Sequence, residues 1–434
     1  MKIAMITTFY PPYHFGGDAV FVRRLTHALA RRGHDVHVIH DVDAFRLLAP
    51  ERDVARTPEP AGVTVHRLES RSRARGFVSN LATQQLGRPV VHGERIRRVL
   101  EDEDFDVIHY HNISLVGGPG ILSMGPDRAI RLYMAHEHWL VCPSHVLWRH
   151  GRELCTGREC LRCQFHHRRP PQLWRATSLL EREARHVDVF YSPSRFSANK
   201  HREFGFGPEL EVIPYFLPDD DSGAEEPEPV KDAPSDRPFF LFVGRLEKIK
   251  GLQDVIPHFR GEGTAELWVV GAGDYEARLR ALAEGIPRVR FLGPRSPEQL
   301  RNLYARALAV VVPSVCFETF GIILLEAFRE GTPVLARRLG PFPEIVEHAE
   351  GGLLFETDEE LAAGLTALGN DGALRTRLGQ QGRHALERTW TERVVLAEYF
   401  GMIRRVAEEK NPALARALAD EGPTPAGAVG QENA

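Results

Sequence analysis

Two successive series of short apolar runs, alternating with helical segments, constrain this chain more than any other feature. The first series opens with the strand-like KIAMITTF, the loop YPPYHFGGD and a helix. That helix repeats Phe21, Leu25, Ala28 and Leu29 at helical spacing before a C-capping Gly33. VHVIHD follows, and its Val36, Val38 and Ile39 form a β-branched run of buried-strand length. Strand, glycine-containing loop, helix and strand make a βαβ unit, whose crossover returns the chain to the same end of the sheet and so makes the strands parallel. Further strands are predicted at GVTVHRL, FDVIHYHN, IRLYMAHE and VDVFYSPS, with helices around 93–100 and 171–186.

The second series begins after PDDDSGAEEPEPVKDAPSDRP, an acidic, proline-rich stretch almost without large apolar residues, which reads as a linker over 218–238. FFLFVGRL, AELWVVGAG, VRFLG, LAVVVPS and PVLARR are strands by the same criteria. Helices are predicted at 252–259, 275–283, 297–307 and 321–330, after Phe342, and over 374–409. The predicted fold class is α/β: two doubly wound Rossmann-like domains, 1–217 and 239–388, facing each other across a ligand cleft. A C-terminal helix at 389–410 and a frayed tail at 411–434, rich in Gly, Pro and Ala, complete the chain.

At 434 residues the chain is long enough for two independent cores. Its 55 Lys and Arg against 59 Asp and Glu leave a net charge of −4, which argues against a protein that coats nucleic acid. No apolar run approaches the ~18 residues that span a bilayer. The N-terminus meets Pro11 and Pro12 too early for a signal-peptide core, so the expected compartment is the cytoplasm.

Open α/β sheets bind ligands beyond the carboxyl ends of their strands, so the chemistry is expected in strand-to-helix loops. In FVGRLEKIKGL, Arg245 falls just past a strand and Lys250 at the approach to the next helix. Two such cations suit one diphosphate, with Arg245 able to grip two oxygens at once. Standing alone, they would be a solvated surface pair. PSVCFETFGIILLEAFREGTPVLA adds Glu318 in a loop and Glu326 in a helix that starts near Gly321. Eight helical steps would set those carboxylates about 12 Å apart. Backbone N–H groups around Thr319, Phe320 and Gly321 would then face phosphate, where the helix dipole favours negative charge. Taken singly, Glu326 is an ordinary helix carboxylate and Glu318 a charge that complements a helix start.

Together these motifs resemble those of the retaining nucleotide-sugar glycosyltransferases of family 4, which have the GT-B fold. FYPPYHFGGDAVFVRRLTHALARRGHDVHVI resembles the family's N-terminal loop and helix, and FVGRLEKIKG its Arg/Lys diphosphate motif. VVGAGDYEARLRALA, VRFLG and ETFGIILLEAFREGTPVLA follow in the family's order, the last with a Glu-x7-Glu pair. The resemblance covers roughly residues 1–405. It implies that Arg245 and Lys250 hold the donor diphosphate and stabilise its growing charge in place of a divalent metal. Glu318 would bond hydroxyls of the transferred sugar and face the developing oxocarbenium ion, and Glu326 would accept from the ribose hydroxyls. Phe320 and Gly321 would line the nucleotide site. Gly17, in FGGD, would let the loop backbone approach the phosphates, with Gly16 needed for the turn.

In YMAHEHWLVCP the resemblance aligns His136 with the family's active-site histidine and Glu137 with its acidic partner, while His138 stands where an aromatic is usual. His136 would contact the donor sugar and help place the acceptor. The departing phosphate oxygen would take the acceptor proton by a front-face route. His109 and His111 end another strand, and for His109 a structural hydrogen bond is the favoured role. The resemblance also implies that the helix at 389–410 crosses back to the first domain.

Four of the five cysteines, Cys142, Cys155, Cys160 and Cys163, fall in one loop rich in Arg and His, while Cys316 stands apart. Cys-x4-Cys-x2-Cys with an upstream Cys suits a tetrahedral, structural Zn²⁺. A disulfide is disfavoured in a reducing compartment, and four unrelated thiols are the plain alternative. His145, His166 and His167 are alternative ligands. HRLESRSRARGF (66–77) and QFHHRRPPQLWR (164–175) mix cations with aromatics, which suits an anionic membrane surface, an acidic acceptor, or simply solvent.

The expected function is a retaining, metal-independent hexosyltransferase of polysaccharide, glycolipid or natural-product glycoside synthesis. Its partners would be a nucleoside-diphosphate sugar and a glycan, lipid-linked or small-molecule acceptor, with peripheral contact to the inner face of the membrane and no nucleic acid. No cofactor beyond the structural zinc is expected. The rival expectations are a GT-B nucleotide-sugar epimerase and a non-catalytic protein that binds nucleotide sugars.

Overall fold

The structure is a computed structural model that describes residues 1–50, 54, 58–219 and 235–418. Most of the acidic linker, 220–234, and the end of the expected tail, 419–434, lie outside the described residues. Contacts divide the chain into two units. The first comprises Met1–Met134, Gln172–Tyr191 and Glu392–Ala434, and the second Ala135–Pro171 and Ser192–Thr391. Residues 135–171 and 192–217, placed by sequence in the first domain, therefore group by contact with the chain beyond the linker.

In the first unit β1 (Lys2–Thr7), β2 (Asp35–Asp41), β3 (Val63–Leu68), β4 (Val107–Tyr110) and β5 (Ile130–Met134) pair in parallel. A hairpin of β6 (Trp148–Arg149) and β7 (Glu153–Leu154) intervenes in the second unit before β8 (Val189–Ser192) joins β5. The order β3-β2-β1-β4-β5-β8 reverses direction between β1 and β4, the switch point of a doubly wound sheet. Helix Gly17–Arg31 buries Phe21, Val22, Leu25, Ala28 and Leu29, the stripe its spacing predicts.

The predicted helix over 374–409 is two helices, Gly372–Thr389 and Glu392–Lys410. The break falls at Trp390, whose ring packs near Phe328 and His348 in the second unit. Glu392–Lys410 is held within the first unit by Arg31–Glu392 at 2.6 Å, by Tyr399 against His109, and by Lys410–Asp188 at 2.8 Å. Residues from 411 are not simply a tail. Pro412–Ala417 is a helix capped by Asn411, and Leu414 and Leu418 are buried. The span 171–186 holds less helix than expected, with one turn at Leu173–Ala176 and a helix only over Leu179–Ala184.

In the second unit, after a short strand β9 (Leu210–Val212), come β10 (Phe239–Val243), β11 (Glu266–Val270), β12 (Val289–Gly293), β13 (Val310–Val312), β14 (Val334–Arg337) and β15 (Gly352–Phe355). The last six form one parallel sheet in the order β12-β11-β10-β13-β14-β15. Phe240, Phe242, Leu267, Val269, Val311 and Leu335 fill its core. The inner strands β1, β4, β5, β10, β11 and β13 are buried runs rather than alternating ones, as parallel strands covered on two faces require, while β3, β12 and β15 are only half buried. The reversal in this sheet falls between β10 and β13, and the loops that leave those two strands carry the charged motifs.

Candidate functional site

Two loops meet at the carboxyl ends of β10 and β13. The N–H of Val315 donates to the Ile249 carbonyl at 2.9 Å, which ties the second loop to the first. Gly251 has φ +73°, and a Cβ there would collide with the Pro313 carbonyl oxygen, so only glycine permits this approach. The approach brings Lys250 Nζ within 2.6 Å of Glu318 Oε1, which also accepts from Ser314 Oγ at 2.9 Å. Both charged side chains are about one-fifth exposed, at 21% and 23%.

Burial on its own would push the Glu318 carboxyl up. The Lys250 ammonium and the Ser314 hydroxyl overcome it and hold the group below the usual glutamate range, ionised. Lys250 is the mirror case, since burial opposes its charge and Glu318 more than restores it. Arg245 acts on both, favouring the carboxylate and opposing the ammonium. Its own guanidinium is half exposed and pairs with Glu247 at 2.5 Å. Cys316 lies buried in the same loop, its thiol pushed up to about 12 by burial and by Glu318.

Gly321 follows with φ +110°, and a Cβ there would stand 2.7 Å from the Phe342 ring. This left-handed residue delays the helix to Ile322–Arg329. Glu318 is thus in the loop, and the helical spacing to Glu326 assumed from sequence does not apply to the first steps. Among the described residues the N–H groups of Phe320 and Gly321 have no hydrogen-bond partner, and they precede the positive end of that helix. Glu326 Oε2 accepts from the Tyr304 hydroxyl at 3.0 Å.

His136 reaches the same loop through its backbone. Thr319 Oγ1 donates to the His136 carbonyl at 2.8 Å, and Ser194 Oγ donates to the Thr319 carbonyl at 2.6 Å. His136 Nδ1 lies 2.7 Å from the Tyr215 hydroxyl, and the Tyr215 ring packs near Phe320, with centroids 5.2 Å apart. Glu137 pairs with His145 at 2.6 Å, so His145 is engaged outside the cysteine cluster. His138 is fully buried beside His201 and, held far below its usual pKa by that burial, is neutral.

Sequence reasoning missed Tyr215, Ser194, Ser314 and the glycines at 251 and 340. A Cβ at Gly340 would come within 3.4 Å of the Glu318 backbone nitrogen. The signal for Ser194 was present, because SPSRFS places a serine cap before helix Arg195–Glu203.

The remaining candidates lie in the first unit or in the cysteine loop. Gly17 opens helix Gly17–Arg31, and a Cβ there meets nothing within 4 Å, so no protein contact demands glycine. Gly16 has φ −139°, extended backbone that any residue adopts, which removes the turn requirement expected for it. His109 is fully buried between the hydroxyls of Tyr191 and Tyr399, at 2.8 and 3.2 Å, a structural role. His111 lies 3.4 Å from Met5 Sδ.

Among the described residues, the one group of three metal-ligand types whose atoms stand within 4.8 Å of one another is Asp41, Asp43 and His92. It is internally satisfied. Asp41 caps Ala44, and Asp43 takes the Ser70 N–H and bonds His92 at 2.9 Å. Cys142, Cys155, Cys160 and Cys163 are not in disulfides, and all four line one cavity in the second unit.

Two family models match the chain, Glycosyltransferase Family 4 over residues 15–220 and Glycosyl transferases group 1 over residues 224–385. An uncharacterised glycosyltransferase of Methanocaldococcus jannaschii is 26% identical over 81% of this chain and 84% of its own length. A glycogen synthase of Mycobacterium tuberculosis is 27% identical over 97% of this chain and all of its own. A D-inositol 3-phosphate glycosyltransferase of Corynebacterium jeikeium is 40% identical, over 34% of this chain and 39% of its own. Among solved structures, sucrose-phosphate synthase of Thermosynechococcus elongatus superposes with TM-score 0.68 at 19% identity, covering 94% of this chain and 99% of that one. Anabaena HepE in complex with UDP superposes with TM-score 0.61 at 17% identity, over 94% and 99%. With two parallel doubly wound sheets and matched models that together run through nearly all of residues 15–385, the chain belongs to the GT-B glycosyltransferases of family 4.

Proposed function

We propose that the chain transfers a hexose from a nucleoside-diphosphate sugar to an acceptor hydroxyl with retention at the anomeric carbon and without a divalent metal. The observation that carries this reading is the Lys250–Glu318–Ser314 contact at the reversal of the second sheet. A departing diphosphate needs positive charge as the glycosidic bond breaks, and the sugar left behind needs negative charge beside it. When the diphosphate arrives, Lys250 exchanges part of its bond to Glu318 for phosphate oxygens, with Arg245 beside it. The freed carboxylate then faces the sugar.

The backbone at Phe320 and Gly321 faces phosphate, and Glu326 accepts from the ribose. His136 meets the sugar and the acceptor. The bond from C1 to the phosphate oxygen breaks, a bond from C1 to the acceptor oxygen forms on the same face, and the acceptor proton passes to the departing phosphate. Solved relatives hold UDP and UDP-glucose, which supports a nucleoside-diphosphate hexose donor here. Incubation with UDP-, GDP- and ADP-hexoses in EDTA, with lipid-linked and soluble acceptors, is expected to give a product whose anomeric configuration by NMR equals the donor's. An inverted product, or turnover that appears only on adding Mg²⁺, would overturn the reading.

We infer further that the first unit rests on an anionic lipid surface. Helix Arg73–Leu86 is inverted: it buries Gly76, Ser79, Asn80 and Thr83 and leaves Phe77, Val78 and Leu81 exposed, beside exposed Arg71, Arg73 and Arg75. Three cations near headgroups contribute about 1 kcal/mol each, and the apolar stripe adds burial in the interface. No helix among the described residues is long and apolar enough to cross a membrane, so the contact would be peripheral. In 164–175, by contrast, Trp174 is buried, its indole N–H donates to the Gln84 carbonyl, and Arg175 stacks on its ring. The protein is expected to cosediment with vesicles containing phosphatidylglycerol and not with pure phosphatidylcholine. Replacing Phe77 and Leu81 by Asp should weaken that binding at least about tenfold. Equal, weak binding to both vesicle types would remove the inference.

A further inference from the structure

We infer that Cys142, Cys155, Cys160 and Cys163 bind one structural Zn²⁺. The placement follows from three local elements. Cys142 comes from the turn before the β6–β7 hairpin, Cys155 is the first residue after it, and helix Cys160–His166 begins on Cys160. Cys160 and Cys163, three apart on that helix, share one face. All four line a single cavity of about 20 Å³, enough for one small ion and little more. Arg149 and Glu159 line it as well, and the Arg149 guanidinium is engaged by Glu153 at 2.8 Å and by Glu159 at 3.3 Å. His145, His166 and His167, the alternative ligands, are not among its lining residues.

None of the four cysteines is in a disulfide, Cys142 and Cys163 are buried, and donors already stand at two sulfurs. The His150 N–H donates to Cys163 Sγ at 3.5 Å, and Ser144 Oγ lies 3.2 Å from Cys142 Sγ. Such donors stabilise a metal-bound thiolate. The sulfurs are not yet at ligating distance, since no three of them stand within 4.8 Å of one another. A ZnS₄ tetrahedron with ~2.3 Å bonds sets them ~3.8 Å apart. Changing one χ1 rotamer swings a sulfur by about 3 Å on a fixed Cβ, and on this inference at least two of the cysteines close on the metal by such rotation. Cys155, whose thiol now donates to the Gly157 carbonyl at 3.1 Å, is one of those that must turn inward.

The loop has a physical need for such a staple. Between Cys142 and Pro171 the buried apolar residues besides the cysteines are Pro143, Leu147 and Trp148, while Leu161 and Phe165 are more than 60% exposed. That is too little core to fix a two-residue-strand hairpin against a two-turn helix. The loop is also bonded to the His136 segment, through Cys142 N–H to the His138 carbonyl at 2.7 Å and His138 N–H to the His145 carbonyl at 3.0 Å. A bound metal would therefore also steady the turn that carries His136. The inference rests on the thiols and stands apart from the transfer reaction.

Full-length protein produced with zinc and purified reduced, without chelator, is expected to hold one Zn²⁺ per chain by plasma mass spectrometry, released by an organomercurial. Replacing the metal with Co²⁺ should add a sulfur-to-cobalt charge-transfer band and the intense visible bands of a tetrahedral thiolate site. Cys160→Ser and Cys163→Ser should each cut the zinc content at least about fivefold. The wild-type cobalt spectrum keeps the test valid if a variant fails to fold. Zinc below about a tenth of an equivalent after reconstitution, or iron in its place, would overturn the inference. So would cobalt bound without the thiolate band, which would move the metal to Asp41, Asp43 and His92.

Discussion

Lys250→Ala is expected to lower kcat/KM for sugar transfer by about 10²–10³-fold, the usual loss when one preorganised donor to a developing charge is removed. The expected size comes from two effects of one deletion. The ammonium that would neutralise the departing diphosphate is gone. Its absence also alters Glu318, because burial raises that carboxyl and Lys250 is the main group opposing it. Without the pairing at 2.6 Å, burial raises the carboxyl, opposed only by Ser314 and Arg245, and its negative charge beside the oxocarbenium ion is less well supported.

The two residues touch, so their effects do not add. Glu318→Gln alone should cost a similar factor, and the double variant little more than either single one. Nucleotide affinity, read by calorimetry with the free nucleoside diphosphate, should fall less than kcat, since Arg245 and the backbone at Phe320 and Gly321 remain. Lys248→Ala is the control, because Lys248 is exposed in the same turn and should stay within about threefold of wild type. A Lys250→Ala enzyme within tenfold of wild type, or strict additivity in the cycle, would remove Lys250 and Glu318 from the roles assigned to them.

Why this pair was only half legible in the sequence is instructive. Each residue stood in a recognisable motif, yet sequence assigned Lys250 to phosphate and Glu318 to sugar, and their mutual bond appears only once β10 and β13 are neighbours. Gly251 is the same case, since nothing beside it in the chain demands glycine and the demand comes from the Pro313 carbonyl in a distant loop. The strands were readable because buried parallel strands are continuous β-branched runs, as in VHVIHD and LAVVVPS. Helix Arg73–Leu86 was not, because its inward face is Gly76, Ser79, Asn80 and Thr83 and its apolar stripe points the wrong way. β15 was missed for a related reason: of GLLF only Phe355 is buried. At the break the Trp390 carbonyl accepts from the Leu217 N–H at 3.0 Å and the indole packs near Phe328 and His348, contacts with residues distant in the chain.

The second unit is expected to lose stability in mild acid through His201 and the buried His138 beside it, both held below the usual histidine range by burial. This side chain is fully buried on helix Arg195–Glu203, with Nδ1 2.8 Å from the Ser197 carbonyl and the neutral His138 ring beside it. Burial lowers its pKa from 6.5 to about 4. The folded unit thus keeps the ring neutral while the unfolded chain takes a proton below pH 6.5, and stability falls as pH drops from 6.5 toward 4. The slope is about 1.4 kcal/mol per pH unit for one proton, or up to about 3 kcal/mol across the window.

In the first unit two neighbours nearly cancel over the same range. Burial lowers His40 to about 3, which costs stability in acid, and raises Asp41 to about 7, which restores it, because the folded carboxyl holds a proton that the unfolded one releases. His66, also lowered by burial, softens that unit, while Glu398, raised by burial, opposes it. Calorimetric scans between pH 7.5 and 4.5 should therefore show the second unit's transition falling faster than the first. His201→Leu should flatten the second unit's slope by about 1.4 kcal/mol per pH unit whatever it does to stability at pH 8. The readout is the slope, so a general packing defect from the substitution, which shifts the curve without tilting it, does not imitate the result. An unchanged slope in the variant would mean that the buried imidazole is not the group that titrates.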